Sequence, residues 1–464
     1  MSNLLITGAR VIDPASGRDE PADVAIADGI IAAVGRNLTR AHAERVIDAS
    51  GCLVTPGLID PHVHLREPGM EEAETIATGT AAAVAGGFTS VVCMPNTTPC
   101  LDDDAMVEFV YTTAQREGAC RVFPVGAISK GRRGEELAEI VLMSRAGAVG
   151  FSDDGDCVAS AGLMTRALSY IRPTGRALMQ HCQEATLTRN ASMHAGSVAT
   201  RLGLVGWPRV AEEVIIERDV RLNRGIGCAY HVQHLSSGGS VEIVRRARAE
   251  KQPVTAEASP HHLLLTHDAV DSNGGYWTGA KMNPPLREKA DIAAMLEGIA
   301  DGTITVLGTD HAPHTSDRKS LEFEAAPFGI VGLETALPLY IKALIEPGVI
   351  EWPRLIAMLT IEPARLCGLE RLDRNGSTGA PGAQAGAKAH VHHSFGHGLG
   401  RLHVGAAGDV TVIDPELEWT IDASQFKGLS RNTPFDGWRV KGRAVATVVG
   451  GRVAWELERA ASRV

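Results

Sequence analysis

Aromatic residues make up only 4% of this 464-residue chain, and basic residues (45) are outnumbered by acidic ones (55), a net charge of −10. So few rings and so little positive charge argue against nucleic acid and against anionic membranes as partners. No stretch approaches ~18 uninterrupted apolar residues, the length a membrane-spanning helix needs. The opening MSNLLITGARVIDPASG lacks a basic segment followed by an apolar one, so a cytoplasmic protein is expected. The eight cysteines (52, 93, 100, 120, 157, 182, 228 and 367) form no CxxC pair and keep no regular spacing. They read as reduced, mostly buried thiols rather than as a disulfide scaffold. An apolar fraction of 44% with 22% charged residues excludes disorder of the whole chain.

Two residue types are abundant: glycine, at 50, and histidine, at 17. Glycine signals many tight loops. The first 57 residues read as short strands (LLITGARVID, ADVAIADG, IIAAVG, RVIDASGCLV). From residue 53 onward, apolar strand-like runs alternate with helical stretches. The candidate strands are Leu53–Leu65, Phe88–Asn96, Arg121–Ser129, Ala148–Asp154, Ala177–Gln183, Ala229–Ser236, Val254–Leu265 and Ile304–His314. Eight β–α units predict an α/β fold, a (β/α)8 TIM-type barrel over 58–365, with an open doubly wound sheet as the competing arrangement. Residues 1–57 and 366–464 are β-rich and are expected to pair into one small, discontinuous β-sandwich-like domain. Within the second of these, 373–408 is rich in Gly, Ala and His and reads as a flexible insertion. Its five histidines (390, 392, 393, 397 and 403) are expected to take no part in catalysis.

In a barrel, residues at the C-terminal ends of the strands face the site. His62 and His64 in DPHVHLREPG are two apart, so on a strand they share a face, as two imidazoles on one cation require. Asp153 and Asp154 in FSDDG point opposite ways, so at most one of them enters readily. His181 (QHCQE), His234 (HVQHLS) and Asp310 (GTDHAPH) end three further candidate strands. Each alone could be a core residue or a turn. Together they are four imidazoles and two carboxylates, enough for one or two zinc ions.

The runs PGLIDPHVHLREPG, GGFTSVVCMPNT, FSDDG, HCQE, HLSS, SPHHLLLT, KMNPPLR, GTDHAPHT, APFGIVGLET and NTPFDGW resemble type I dihydroorotases of the amidohydrolase superfamily, over roughly residues 3–460. That resemblance implies zinc-dependent, reversible cyclisation of N-carbamoyl-L-aspartate to L-dihydroorotate in de novo pyrimidine synthesis. It implies His62, His64, Asp154, His181, His234 and Asp310 as metal ligands. Asp310 would be the general acid and base working with a metal-activated hydroxide. Other dihydroorotases carry a carboxylated lysine as bridge on the fourth strand; GAVGFSDDG has no lysine, so any bridge falls to Asp154.

Arg66, Asn96 and His314 match the positions that hold the substrate carboxylate, while Asn283, Phe328 and Gly329 match positions lining the ring. His261 and His262 read as supporting residues rather than ligands, and Gln183 as a neighbour of His181. Residues 315–327 are expected to form a mobile loop near the site. The resemblance further implies a small-molecule substrate and a homo-oligomer, a dimer among the options, and leaves association with aspartate carbamoyltransferase open. Allantoinases and hydantoinases share the HxH and the eighth-strand Asp, but their substrates lack the carboxylate that Arg66 and Asn96 would bind. A scaffold that has lost its ligands is the non-catalytic alternative, and here every ligand position is filled.

Overall fold

A computed structural model of the chain describes residues 3–41, 43–371 and 398–458. The long apolar runs of the middle region become short parallel strands buried on both faces, which is why they show little alternation. One arc holds Leu58–Val63, Phe88–Cys93 and Arg121–Pro124. A second holds Gly150–Phe151, Ala177–Gln180, Tyr230–Val232, Val254–Ala258 and Val306–Leu307. Single parallel bridges join the arcs, Gly126 to Phe151 at one end and Val63 to His311 at the other. The eight strands therefore close a circuit in chain order, the (β/α)8 barrel. Helices pack outside it, and their starts are capped as the sequence allows. Asp103 accepts from Met106 N at 2.9 Å to open Asp104–Glu117, and Ser160 accepts from Leu163 N at 3.3 Å to open Ala161–Ile171.

Two expected strands need correction. Leu53–Leu65 is two strands, Leu53–Pro56 and Leu58–Val63, in different sheets. The break falls at Gly57, where a Cβ would stand 2.1 Å from Thr89 Oγ1, so only glycine lets the chain cross there. Val254–Leu265 is a strand only to Ala258, and Pro260–Leu264 is helical. Pro260 sits in the first helical turn, where its fixed φ and missing N–H do no harm.

Strands from both chain ends form one sheet of eight. Leu53–Pro56 pairs with Leu4–Asp13 on one side and with Val410–Thr420 on the other. Val11, Val24, Ile47, Val412 and Val448 of this sheet share one core. Of the expected insertion at 373–408, residues up to 397, with His390, His392, His393 and His397, lie outside the described residues. Residues 398–408 are turns packed against the sheet: Leu402 N donates to Asp13 Oδ2 at 3.2 Å and Ile31 N to Ala406 O at 2.8 Å. Among the described residues, no helix is long and apolar enough to cross a membrane.

Candidate metal centre

The C-terminal ends of the barrel strands bring His62, His64, Asp154, His181, His234 and Asp310 into one buried cluster. Asp154 lies at its middle. Its Oδ1 is 3.5 Å from His62 Nε2, 3.4 Å from His181 Nδ1 and 3.3 Å from His234 Nε2; its Oδ2 is 3.5 Å from His64 Nε2. Asp310 Oδ1 is 3.0 Å from His64 Nε2 and 3.5 Å from His62 Nε2. Asp153 turns away, accepting from Ile128 N (2.8 Å), Ser129 N (3.0 Å) and Ser129 Oγ (2.5 Å). The backbone of Arg66, His234 and Asp310 is left-handed (φ 61°, 32° and 49°). That conformation costs about 1–3 kcal/mol at each non-glycine residue and aims side chains where a regular strand would not.

The outer ring nitrogens decide what the inner ones can do. His62 Nδ1 donates to Glu257 Oε1 at 2.5 Å, His64 Nδ1 to Asn96 Oδ1 at 2.9 Å, and His181 Nε2 to Gln183 Oε1 at 3.1 Å. In the neutral rings, His62 Nε2, His64 Nε2 and His181 Nδ1 then carry lone pairs; those of His62 and His64 face the oxygens of Asp154 and Asp310, and that of His181 lies 2.8 Å from His234 Nε2, with Asp154 Oδ1 beyond it at 3.4 Å. Acceptors facing acceptors in a dry site call for cations between them. His62 Nε2, fully buried, has no hydrogen-bond partner. The donor set of imidazole nitrogens and carboxylate oxygens is the one zinc takes. Two groupings are close enough to hold an ion, His62–His64–Asp310 and His62–Asp154–His234, each with ligand atoms within 4.8 Å of one another. Although burial opposes charge, Glu257, Asp154 and Asp310 raise His62 well above the ordinary histidine value, so this position favours a positive charge at Nε2, a proton wherever a metal ion does not take its place. Burial is likewise outweighed at Asp310, which His62 and His64 pull down to about 2.

A third cluster, His194–His267–Glu288, is similarly compact. However, Arg209 already binds Glu288 at 2.5 Å, and Arg287 Nη1 lies 3.3 Å from His194 Nδ1. Two guanidiniums beside the cluster make it a poor cation site.

Arg66 is buried, and burial lowers it to about 10. Its Nε donates to Pro313 O at 3.1 Å, its Nη2 lies 3.4 Å from His314 Nε2, and it makes no ion pair among the described residues. His314 Nε2 donates to Phe328 O at 2.7 Å. Burial, Arg66 and Lys319 depress His314 to about 3, so the ring is neutral and its Nδ1 can only accept. Asn96 spends its carbonyl on His64, which leaves its NH2 for an anion. Asn283 Nδ2 donates to Gln183 Oε1 at 3.3 Å, linking it to His181 through the same oxygen. Gly329 is buried at φ 147°, and a Cβ there would lie 2.6 Å from Ala312 O. His262 Nε2 donates to Pro284 O at 2.9 Å, and neither His261 nor His262 belongs to the groupings that could hold an ion.

Glu257 is a site residue that sequence reasoning missed. It accepts from His62 Nδ1, from His234 N at 3.1 Å and from His231 Nε2 at 3.1 Å. The one available signal was an acid within the otherwise uncharged strand Val254–Ala258.

A protein-family model described as "Dihydro-orotase-like" matches residues 51–240. A protein of Geobacter sp. (strain M21) named "Dihydroorotase" is 46% identical over 454 residues, covering 98% of this chain and 99% of the relative. Another of that name, from Pelotomaculum thermopropionicum, is 47% identical and covers 98% of each. Among solved structures, the L-hydantoinase (dihydropyrimidinase) of Arthrobacter aurescens superposes with a TM-score of 0.81 at 25% identity, covering 98% of this chain and 96% of that one. A D-hydantoinase at 21% identity, with a TM-score of 0.79, shares the fold.

Proposed function

The chain belongs to the dihydroorotase family of metal-dependent cyclic amidohydrolases, and on that premise we propose that it interconverts N-carbamoyl-L-aspartate and L-dihydroorotate in pyrimidine biosynthesis. The observation that carries this reading is Arg66, a buried guanidinium beside the metal-ligand cluster with no carboxylate of its own. Desolvating an unpaired cation is costly, and an anionic substrate repays it with paired, charge-assisted hydrogen bonds. Dihydroorotate carries such a carboxylate; simple hydantoins and dihydropyrimidines do not.

The ligands fit zinc, and two ions are supported by the donor count of four imidazoles and two carboxylates and by Asp154 presenting Oδ1 toward His181 and His234 and Oδ2 toward His64. When bound, zinc supplies Lewis acidity, polarising the amide carbonyl and making water acidic near neutral pH. Arg66 and the Asn96 amide bind the substrate carboxylate. His314, expected with Arg66 and Asn96 at the carboxylate, has the one hydrogen of its neutral ring committed to Phe328 O, so its Nδ1 would instead accept a ring N–H. Asn283, Phe328 and Gly329 border the ring. In hydrolysis Asp310, ionised at neutral pH, takes the proton of the attacking water and gives it to the ring nitrogen as the C–N bond breaks. In cyclisation the ureido nitrogen attacks the side-chain carboxyl carbon, and Asp310 carries its proton to the departing water. We assign these residues to a barrel domain over 58–365 and take the strands described within 1–57 and 366–464, which share one sheet, as an accompanying β domain.

The test is zinc analysis of the purified protein together with a substrate panel. Hydrolysis of dihydroorotate should far outrun that of hydantoin, allantoin and dihydrouracil. Faster turnover of a ring without a carboxylate would overturn the reading.

A further inference from the structure

Two lysines outside the chemistry above hold the segment that leads to Phe328 and Gly329. Lys281 Nζ donates to the carbonyls of Phe323 (2.5 Å), Glu324 (3.1 Å) and Ala326 (2.7 Å). Lys319 Nζ donates to Pro327 O (3.0 Å) and Gly329 O (3.2 Å). Both are buried, at 2% and 8% exposure, and neither makes an ion pair among the described residues, where the lysines that do are Lys130 and Lys441. Residues 315–327, expected as a mobile loop, thus start with a helical turn at Ser316–Lys319 and are tied down at successive carbonyls.

The physical reason is that 323–329 belongs to no helix or sheet, so its inward carbonyls lack backbone donors. Lys281 meets three of them with the three hydrogens of an ammonium, and its charge also lies 4.5 Å from the Phe328 ring centre. The same strap returns Gly329 N to Lys281 O at 3.0 Å. Its Phe328 carbonyl receives His314, which stands 3.4 Å from Arg66. A continuous set of contacts therefore runs from the two ammoniums to the carboxylate-binding arginine.

We propose that Lys281 and Lys319 are positioning residues for substrate binding: they set the path of 323–329, and with it the Phe328 carbonyl that orients His314 and the Gly329 backbone at the ring. This rests on the dihydroorotase reading of the site. Neither lysine touches the metal ligands or Asp310, so the effect belongs in KM rather than in the chemical step.

The test compares Lys281→Met, Lys319→Met and Lys319→Arg with the wild type in dihydroorotate hydrolysis, alongside zinc content and thermal midpoint. The Met variants should raise KM about tenfold or more, the scale of a lost charged hydrogen bond. Their kcat should stay within about threefold of wild type at unchanged zinc content, and Lys319→Arg should recover part of the loss. An unchanged KM, or a fall in kcat alone, overturns the proposal. A wild type inactive on dihydroorotate strikes the functional reading instead.

One arm needs no variant. Desolvation lowers Lys281 to about 8 and Lys319 to about 7, the latter also through the charge of Lys281. The Glu324 carboxylate faces Lys281, and His314, at about 3, stays neutral throughout. Between about pH 6.5 and 9 the clamp loses protons, so the wild-type KM should rise severalfold. Because folding lowers both values, this deprotonation does not itself destabilise the protein, and in a Glu334→Gln background, which removes a buried carboxyl that itself titrates at about 7, the thermal midpoint should not fall in step. A flat KM across that range overturns the proposal.

Discussion

Glu257 Oε1 and His62 Nδ1 stand 2.5 Å apart, and this bond holds the His62 proton on the side away from the metal-ligand cluster. The carboxylate is fully buried and is shared among His62, His231 and the backbone of His234. Glu257 thus sets the tautomer of one ligand and the backbone position of another. Against burial, the charges of His62 and His231 hold it well below the usual carboxylate range. Glu257→Gln should lower zinc affinity by about 10- to 100-fold, the range expected for loss of a partner behind a metal ligand. Competition with a chromogenic chelator measures this, and unchanged affinity would show that the bond is dispensable.

Asp310→Asn removes the one group proposed to move the proton. Turnover in both directions should fall by about 10²- to 10⁴-fold, as for loss of a general acid–base. The far-ultraviolet circular dichroism should be unchanged. Near-normal kcat in this variant would remove Asp310 from the mechanism.

Arg66→Met leaves an apolar chain where the guanidinium was. Loss of charged hydrogen bonds at about 1.5–3 kcal/mol should raise the KM for dihydroorotate by about 10- to 100-fold. Hydrolysis of dihydrouracil, which has no carboxylate, should change much less. Equal losses on the two substrates would contradict carboxylate binding by Arg66.

Glu334 provides a pH test away from the site. Burial raises its carboxyl from an ordinary 4.5 to about 7, while Gly428 N and Lys427 N donate to it. The folded state therefore holds this proton more tightly than the unfolded one. Stability from the protonated group is full below pH 4.5 and is lost as the pH rises through about 7. Glu334→Gln, which keeps an accepting oxygen but never ionises, should unfold at a higher temperature than wild type above pH 7. That advantage should vanish at pH 4.5, and a constant difference would refute the linkage.

Much of the barrel and most of the cluster were legible because each depends on short-range rules. Two imidazoles two residues apart on one strand must share a face, so His62 and His64 announced themselves. His181, His234 and Asp310 stood where apolar runs stopped. The choice between Asp153 and Asp154 was not legible in local spacing and came only from the family resemblance, because it depends on Ile128 and Ser129 capturing Asp153. Nor could sequence split Val254–Leu265, since a short apolar run reads alike as strand or buried helix.

The alternating strand-like and helical runs narrowed the fold to a barrel or an open sheet, the positions of His and Asp gave the ligand types, and the long motifs carried the family resemblance, because all of these lie in local sequence. The tertiary structure alone decided which side chains hold those ligands in place. Glu257 reaches a histidine 195 positions away, and Lys281 reaches carbonyls 42 to 45 positions on. No local pattern encodes such pairings; closing the barrel makes them, by forcing buried donors and acceptors to find each other across the chain.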